Sequence, residues 1–190
     1  MKKMMFVAVA HLVLSANCAV EVVDGIEWNY RIVDGEAELY VNDEEMFSAI
    51  PPETEGDIAI PNKLGECPLA RIGSSAFAGC EKLTSVKIPY GVKRIGTQAF
   101  YYCQNITNIA IASSVETIAT GAFQSCTNLK SLQLPEGLIR LEGSAFSGCR
   151  NLKTLIIPST VTEVYAPFSC DSLEDGITVA EGNSRYTTIP

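Results

Sequence analysis

The chain has 190 residues, enough for one domain, and 47% of them are apolar, which excludes a disordered chain. Its formal net charge of −8 is the wrong sign for gripping phosphates, so nucleic acid is not an expected partner.

Residues 1–19 read as a secretory signal peptide. Lys2 and Lys3 give the charged start, Phe6 to Leu14 form a short apolar run interrupted by His11, and small residues come next, so cleavage after Ala16 or Ala19 is expected. The run is shorter than the roughly 20 apolar residues a membrane-spanning helix needs, and no other stretch is apolar enough to cross a bilayer. Cys18 offers another maturation route, lipid modification of an N-terminal cysteine, although Asn17 stands where a small residue is expected. Beyond the leader the charge is uneven. Residues 20–66 hold 13 acids and two bases, whereas residues 67–170 hold five acids and nine bases.

Residues 20–57 are expected to form an N-terminal β-hairpin cap and an acidic connector. Ile26 to Val33 reads as a strand, Asp34-Gly35 as a two-residue turn, and Glu36 to Val41 as the return strand. Trp28, the only tryptophan, is expected to cover the open end of the coils that begin at residue 58. Asp43, Glu44, Glu45, Glu53, Glu55 and Asp57, with Pro51 and Pro52 among them, mark the connector as exposed.

From residue 58 to 190 the chain is a repeat array, with regular coils over 72–158 and a degenerate last coil over 159–190. Its mark is Ala-Phe-x-x-Cys, at Ala76-Phe77-x-x-Cys80, Ala99-Phe100-x-x-Cys103, Ala122-Phe123-x-x-Cys126 and Ala145-Phe146-x-x-Cys149. The cysteines recur every 23 residues, and Phe168 and Cys170 keep a shorter fifth copy. A fixed period of this size means a solenoid whose coils bury their apolar faces only by stacking. The first coil, opened by Ile58-Ala59-Ile60-Pro61, carries five extra residues that should bulge around Gly65, Cys67 and Pro68.

Within each unit, Leu83-Val86-Ile88, Ile106-Ile109-Ile111, Leu129-Leu132-Leu134 and Leu152-Leu155-Ile157 share one spacing. Alternation in the last two of each set predicts a short strand with one buried face. Proline at 89, 135 and 158, with Ala112 in the same slot, ends it, because proline has no N–H to give a ladder. Val92 and Ile95, Val115 and Ile118, Leu138 and Leu141, and Val161 and Val164 predict a second inner wall. In-register stacking at about 4.8 Å per coil would place Phe77, Phe100, Phe123, Phe146 and Phe168 in one interior row. It would also make the repeat cysteines a ladder of buried free thiols, preferred here over disulfides because their side chains point the same way. Cys67 is the exception, within reach of Cys80.

The pattern Leu-x-x-Val-x-Ile-Pro…Val-x-x-Ile-Gly-x-x-Ala-Phe-x-x-Cys, as in Leu83 to Cys103, resembles the BspA-like class of leucine-rich repeats over residues 58–180. Ala119 and Glu142 depart from it, standing where the family often has glycine. The resemblance implies a curved solenoid of mostly short parallel β-strands with turns and little regular helix. It also implies a secreted or cell-surface bacterial protein, with a role in adhesion or partner binding.

Chemistry finds few candidates. His11 is the only histidine and lies in the leader, which leaves the mature chain without His-based triads or His metal sites. Asp171, Glu174 and Asp175 do not match the twelve-residue calcium loop, and the glycosylation sequon Asn105-Ile106-Thr107 is taken as incidental. No catalytic, metal or cofactor site is expected, and the chain reads as no enzyme. The candidate interaction surface is the outward strip of the short strands: Ser85, Lys87, Asn108, Ala110, Ser131, Gln133, Thr154 and Ile156. It is polar, mostly uncharged and short-chained, and suits a protein or glycan partner. The alternative is a structural spacer within a longer surface protein. Partner identity and oligomeric state are not written in the sequence.

Overall fold

A computed structural model describes residues 18–41, 48–165, 177–179 and 181. The N-terminal cap is larger than the expected hairpin. Strands β1 (Cys18–Val23), β2 (Ile26–Val33) and β3 (Glu36–Leu39) form an antiparallel meander. Both of its turns are Asp-Gly, and Asp24, Gly25, Asp34 and Gly35 have φ of 53°, 80°, 53° and 79°. Positive φ at both central residues gives the turn whose twist matches paired strands. β1 takes in Cys18 and Ala19, which the sequence assigns to the leader. Cleavage after Ala16 would leave this strand whole, and cleavage after Ala19 would remove its first two residues.

The connector is corrected in part. Ser48, Ala49 and Ile50 are fully buried, and the Ala49 N–H donates to the Ala76 carbonyl at 2.6 Å. They form the turn of a preceding coil, with Ile50 following Ala49 as Phe77 follows Ala76. Asp43, Glu44 and Glu45 lie outside the described residues, while Glu53, Glu55 and Asp57 are largely solvent-facing.

The solenoid then runs through β4 (Gly56–Ala59), β5 (Lys63–Leu64), β6 (Cys67–Ile72), β7 (Leu83–Ile88), β8 (Arg94–Ile95), β9 (Asn108–Ile111), β10 (Thr117–Ile118), β11 (Arg140–Leu141), β12 (Leu155–Ile157), β13 (Glu163–Val164) and β14 (Ile177–Val179). The expected bulge at 63–68 is a tight hairpin, since β5 pairs antiparallel with β6 across Gly65-Glu66.

Three stacked ladders hold the coils together. The first is parallel and unbroken: β3, β6, β8, β10, β11 and β13 pair in that order, continuing the cap meander directly into the array. The second joins the Ala-Phe turns, where Phe77, Phe100 and Phe123 donate their N–H to Ala99, Ala122 and Ala145 at 2.7–2.8 Å. The third, on the face carrying the candidate strip, pairs β4, β7 and β9 in parallel, with Ser85 opposite Asn108 and Lys87 opposite Ala110.

That third ladder breaks. Residues 129–134 repeat the spacing of Leu83-Val86-Ile88 but form no strand, and β12 pairs instead with β14. The expected strand at Leu129-Leu132-Leu134 is therefore a correction. Its apolar side chains are buried as expected, but its backbone is not laddered. The neighbouring coils stay joined elsewhere. Asn128 N–H reaches the Gln104 carbonyl at 3.1 Å and Ile139 N–H the Glu116 carbonyl at 2.9 Å. Near the far end, Gly137 packs so close to the Ser113 carbonyl that any Cβ there would collide with it.

The interior carries the aromatic row. Phe77, Phe100, Phe123 and Phe146 are fully buried and stack nearly parallel, with centroids 4.8, 5.4 and 5.6 Å apart. Offset stacking of this kind adds to the burial term, which for one ring is about 1.5–3 kcal/mol. Trp28 stands edge-on to Phe77 and closes the row at the cap. Phe168 and Cys170 fall outside the described residues.

Candidate functional site

The thiol ladder is as the period requires. Cys80, Cys103, Cys126 and Cys149 are buried and free, and Cys67 and Cys18 are half-buried and free. The Cys67–Cys80 bridge left open by the sequence is absent. Each later thiol donates to the phenylalanine carbonyl one coil back: Cys103 to Phe77 at 2.9 Å, Cys126 to Phe100 at 3.2 Å, and Cys149 to Phe123 at 3.0 Å. Cys80 has no such phenylalanine behind it and meets Ser48 instead. Burial pushes the Cys80 thiol up to about 11, partly offset by Ser48. Burial and then the neighbouring thiols push Cys103 and Cys126 higher still. A thiol held in this way stays protonated near neutrality and is a poor nucleophile and metal ligand. The ladder is structural.

A second row was missed in the sequence. Asn105, Asn128 and Asn151 stand 23 residues apart, two positions after the repeat cysteine, with Lys82 in the first slot. Asn151 Nδ2 donates to Asn128 Oδ1, and Asn128 Nδ2 to Asn105 Oδ1, both at 3.3 Å. Asn105 Nδ2 in turn donates to the Glu81 carbonyl at 2.9 Å. The recurring Cys-x-Asn-Leu/Ile spacing was the available signal. The sequon asparagine is thus the first rung of this ladder.

On the unbroken outer ladder, charges pair across coils. Arg71 meets Glu36 at 3.2 Å and Glu38 at 3.9 Å, Arg94 meets Glu142 at 3.5 Å, and Arg140 meets Glu163 at 2.7 Å. Glu142, which departs from the glycine pattern, also accepts from Thr120 N–H and Oγ1 at 3.0 and 3.1 Å. Partly exposed pairs like these each contribute about 0–1 kcal/mol. They satisfy one another across this strip.

The remaining face holds the candidate strip. Six of its eight residues, Asn108, Ala110, Ser131, Gln133, Thr154 and Ile156, line a single trough of about 950 Å³. Its floor includes Ile109, Leu132 and Leu134, and its far wall Ser113, Pro135 and Glu136. Among the described residues, Glu136 is the only charged one lining it. Ser85 and Lys87 share the strip but lie one coil earlier, outside the trough, beside Asp57 and Ala59 of β4. The trough sits where the third ladder breaks. Burial records the break, for Leu132 is 7% exposed while the equivalent Val86 is fully buried. Ile156, at 57%, is the exposed large apolar residue lining it.

Such an arrangement offers small polar groups over an apolar floor, which suits recognition. Among the described residues no three His, Cys, Asp or Glu side chains are grouped to hold a metal ion. No helix among them is long and apolar enough to cross a membrane. Asp171, Glu174 and Asp175 lie outside the described residues.

Comparison with known proteins places the fold in a lineage. Residues 57–173 match the BspA type leucine-rich repeat region in six copies. A leucine-rich cell surface protein from Faecalibacterium prausnitzii A2-165 is 30% identical, with a TM-score of 0.70 over 88% of this chain and 41% of that one. A leucine-rich repeat protein from Bacteroides ovatus ATCC 8483 is also 30% identical, with a TM-score of 0.64 over 84% of this chain and 40% of that one. The leucine-rich repeat protein of T. pallidum, 22% identical with a TM-score of 0.66, covers 73% of this chain and 62% of its own, and shares the fold. The chain thus spans less than two thirds of the length of each of these proteins. No match was found among the curated proteins. With its six repeat copies, its stacked phenylalanine and cysteine rows and its parallel ladders, the chain belongs to the BspA-type leucine-rich repeat family.

Proposed function

We propose that this chain is a non-catalytic binding scaffold, secreted or displayed at the cell surface, that holds a protein or glycan partner against the face running from β9 to β12. The observation that carries this reading is the convergence of Asn108, Ala110, Ser131, Gln133, Thr154 and Ile156 on one almost uncharged trough. On the outer strip, charges pair with charges across coils, and the interior is filled by aromatic rings and thiols. The trough is therefore the surface with spare hydrogen-bonding and apolar capacity. The Faecalibacterium prausnitzii relative is described as a cell surface protein, which supports the same placement for this chain.

Export would proceed through the leader, with cleavage after Ala16 preserving β1. N-terminal sequencing of the exported protein tests this, and a mature chain starting at residue 20 would contradict it.

For the binding role, Asn108→Lys, Ser131→Lys and Gln133→Glu are combined in one variant. All three side chains are exposed, so stability should change little. Binding to arrays of immobilised surface proteins and glycans should be lost. A variant that folds and binds as the parent does would exclude this face and leave the spacer reading.

A further inference from the structure

The turn side of the array carries one irregularity. The two positions after each repeat phenylalanine hold Ala78-Gly79, Tyr101-Tyr102, Gln124-Ser125 and Ser147-Gly148, so one pair of the four is aromatic. Tyr101 and Tyr102 are both exposed, and their rings stand 5.9 Å apart with planes inclined at 39°. Their backbone is fixed on both sides. Gly79 N–H donates to the Tyr101 carbonyl at 2.8 Å, and Tyr102 N–H donates to the Gln124 carbonyl at 2.9 Å. One coil back, Gly79 has open space where a side chain would stand, so the rings rise beside a shallow step.

Packing does not account for the pair. Tyr102 has φ of 62°, a left-handed conformation that a bulky side chain resists, and neither ring is buried in return. Strain kept without a packing gain points to a ligand-facing role. The surroundings narrow the ligand. From Ile95 to Leu129 the chain has a single charged residue, Glu116, whose carboxylate meets Lys93 at 2.8 Å. Beside the rings, along the chain and in the following coil, stand amides and a hydroxyl: Gln98, Gln104, Gln124 and Ser125. The exposed charges one coil back, Glu81 and Lys82, are of opposite sign.

We infer that Tyr101 and Tyr102 form a stacking platform for a neutral glycan of β-linked sugars. It is a second binding site, separate from the trough, whose lining includes neither ring. A sugar with equatorial hydroxyls presents a face of C–H groups that packs on the electron-rich face of an aromatic ring, while its hydroxyls pair with nearby amides. A protein partner would instead need about 800 Å² of contact with an apolar centre. Here the rings border Ala78, Gly79 and polar side chains, with no other large exposed apolar residue on the turn side among the described residues. Two platforms inclined to one another suit successive residues of a twisted sugar chain, each ring taking one.

The probes are cellotetraose, a β-linked glucose chain, and chitotetraose, its N-acetylglucosamine counterpart. Each is titrated into the full chain, with NMR saturation transfer to the sugar C–H protons as the readout. At least one should bind with a Kd below about 5 mM. Tyr102→Gly relieves the strained backbone and keeps the fold, yet should weaken binding at least about threefold, as should Tyr101→Ala. Tyr101→Phe keeps the ring and should bind as the parent does. The triple charge variant in the trough should also keep its affinity for the sugar.

Failure of both tetrasaccharides to bind at about 5 mM would overturn the inference, as would a smaller loss in Tyr102→Gly or Tyr101→Ala. An equal loss in Tyr101→Phe would do the same, since stacking needs only the ring. Loss of sugar binding in the triple charge variant would move the sugar into the trough and end the platform, while leaving the trough as a binding face.

Discussion

The indole of Trp28 meets the ring of Phe77 edge-on, with centroids 6.3 Å apart and planes at 76°. Phe77 lies flat on Phe100, with planes 1° apart. The cap therefore ends the aromatic row by turning the geometry, presenting an edge to the last exposed face of the stack. Trp28 is 1% exposed, so its fluorescence should be blue-shifted and should move to longer wavelength on unfolding.

Phe123 has a ring on each side, and Phe123→Ala should cost about 3–5 kcal/mol. Phe77 also has two neighbours, but one is only an edge contact with Trp28. Urea unfolding followed by Trp28 fluorescence measures both substitutions. A Phe123→Ala loss under about 1.5 kcal/mol would mean the row contributes little.

The thiol ladder sets an alkaline limit. The Cys80 thiol rises from its ordinary value of 9.0 to about 11 on folding, and Cys103 and Cys126 rise further. The folded chain thus holds these protons more tightly than the unfolded chain does. Their share of stability is complete below about pH 9 and declines as pH climbs toward 11 and beyond. The slope is about 1.4 kcal/mol per pH unit for each thiol. Urea midpoints measured under reducing conditions from about pH 7.5 to about pH 10 should be flat at first and then fall. Native alkylation mapped by mass spectrometry should label Cys67 and leave Cys80, Cys103, Cys126 and Cys149 untouched.

Asn128 is the middle rung of its ladder, donating to Asn105 and accepting from Asn151. Asn128→Ala removes both bonds and should cost about 1–2 kcal/mol, and Asn105→Ala, which removes the bond to the Glu81 carbonyl as well as the one from Asn128, should cost about as much. Thermal unfolding of the two variants gives the comparison. An Asn128→Ala protein as stable as the parent would show the rungs to be ornamental.

Tyr102 holds φ of 62° in a slot where Gly79 and Gly148 hold 73° and 74°. A bulky side chain is strained there, and its ring, at 42% exposure, recovers little by burial. Tyr102→Gly should stabilise the protein by about 0.5–1 kcal/mol, visible as a higher unfolding midpoint. Tyr102→Ala should gain less, because alanine retains the Cβ.

The period of 23 carried most of the fold. Phe77 to Phe146 and Cys80 to Cys149 occupy the interior rows their spacing implied, and Trp28 covers the end of the aromatic row. β1 was hidden because Cys18-Ala19 merge with the small residues of the leader. Yet Asp24-Gly25 repeats the turn signal of Asp34-Gly35. The break at 129–134 was illegible for a different reason. Leu129-Leu132-Leu134 carries the same alternation as Leu83-Val86-Ile88, and alternation reports which face is buried, not which backbone is paired. Pairing depends on neighbours 23 residues away in each direction. The strip at Asn108, Ser131 and Gln133 was readable as outward-facing. The trough was not, since it exists only because the coils part there.

Cys103, Cys126 and Cys149 each reach backward, to a carbonyl of the preceding coil. The array therefore has a polarity along its axis. Deleting a coil from the C-terminal side removes a donor and leaves every remaining thiol supplied. Deleting one from the N-terminal side removes the carbonyl that the next thiol uses, as loss of Phe77 would for Cys103.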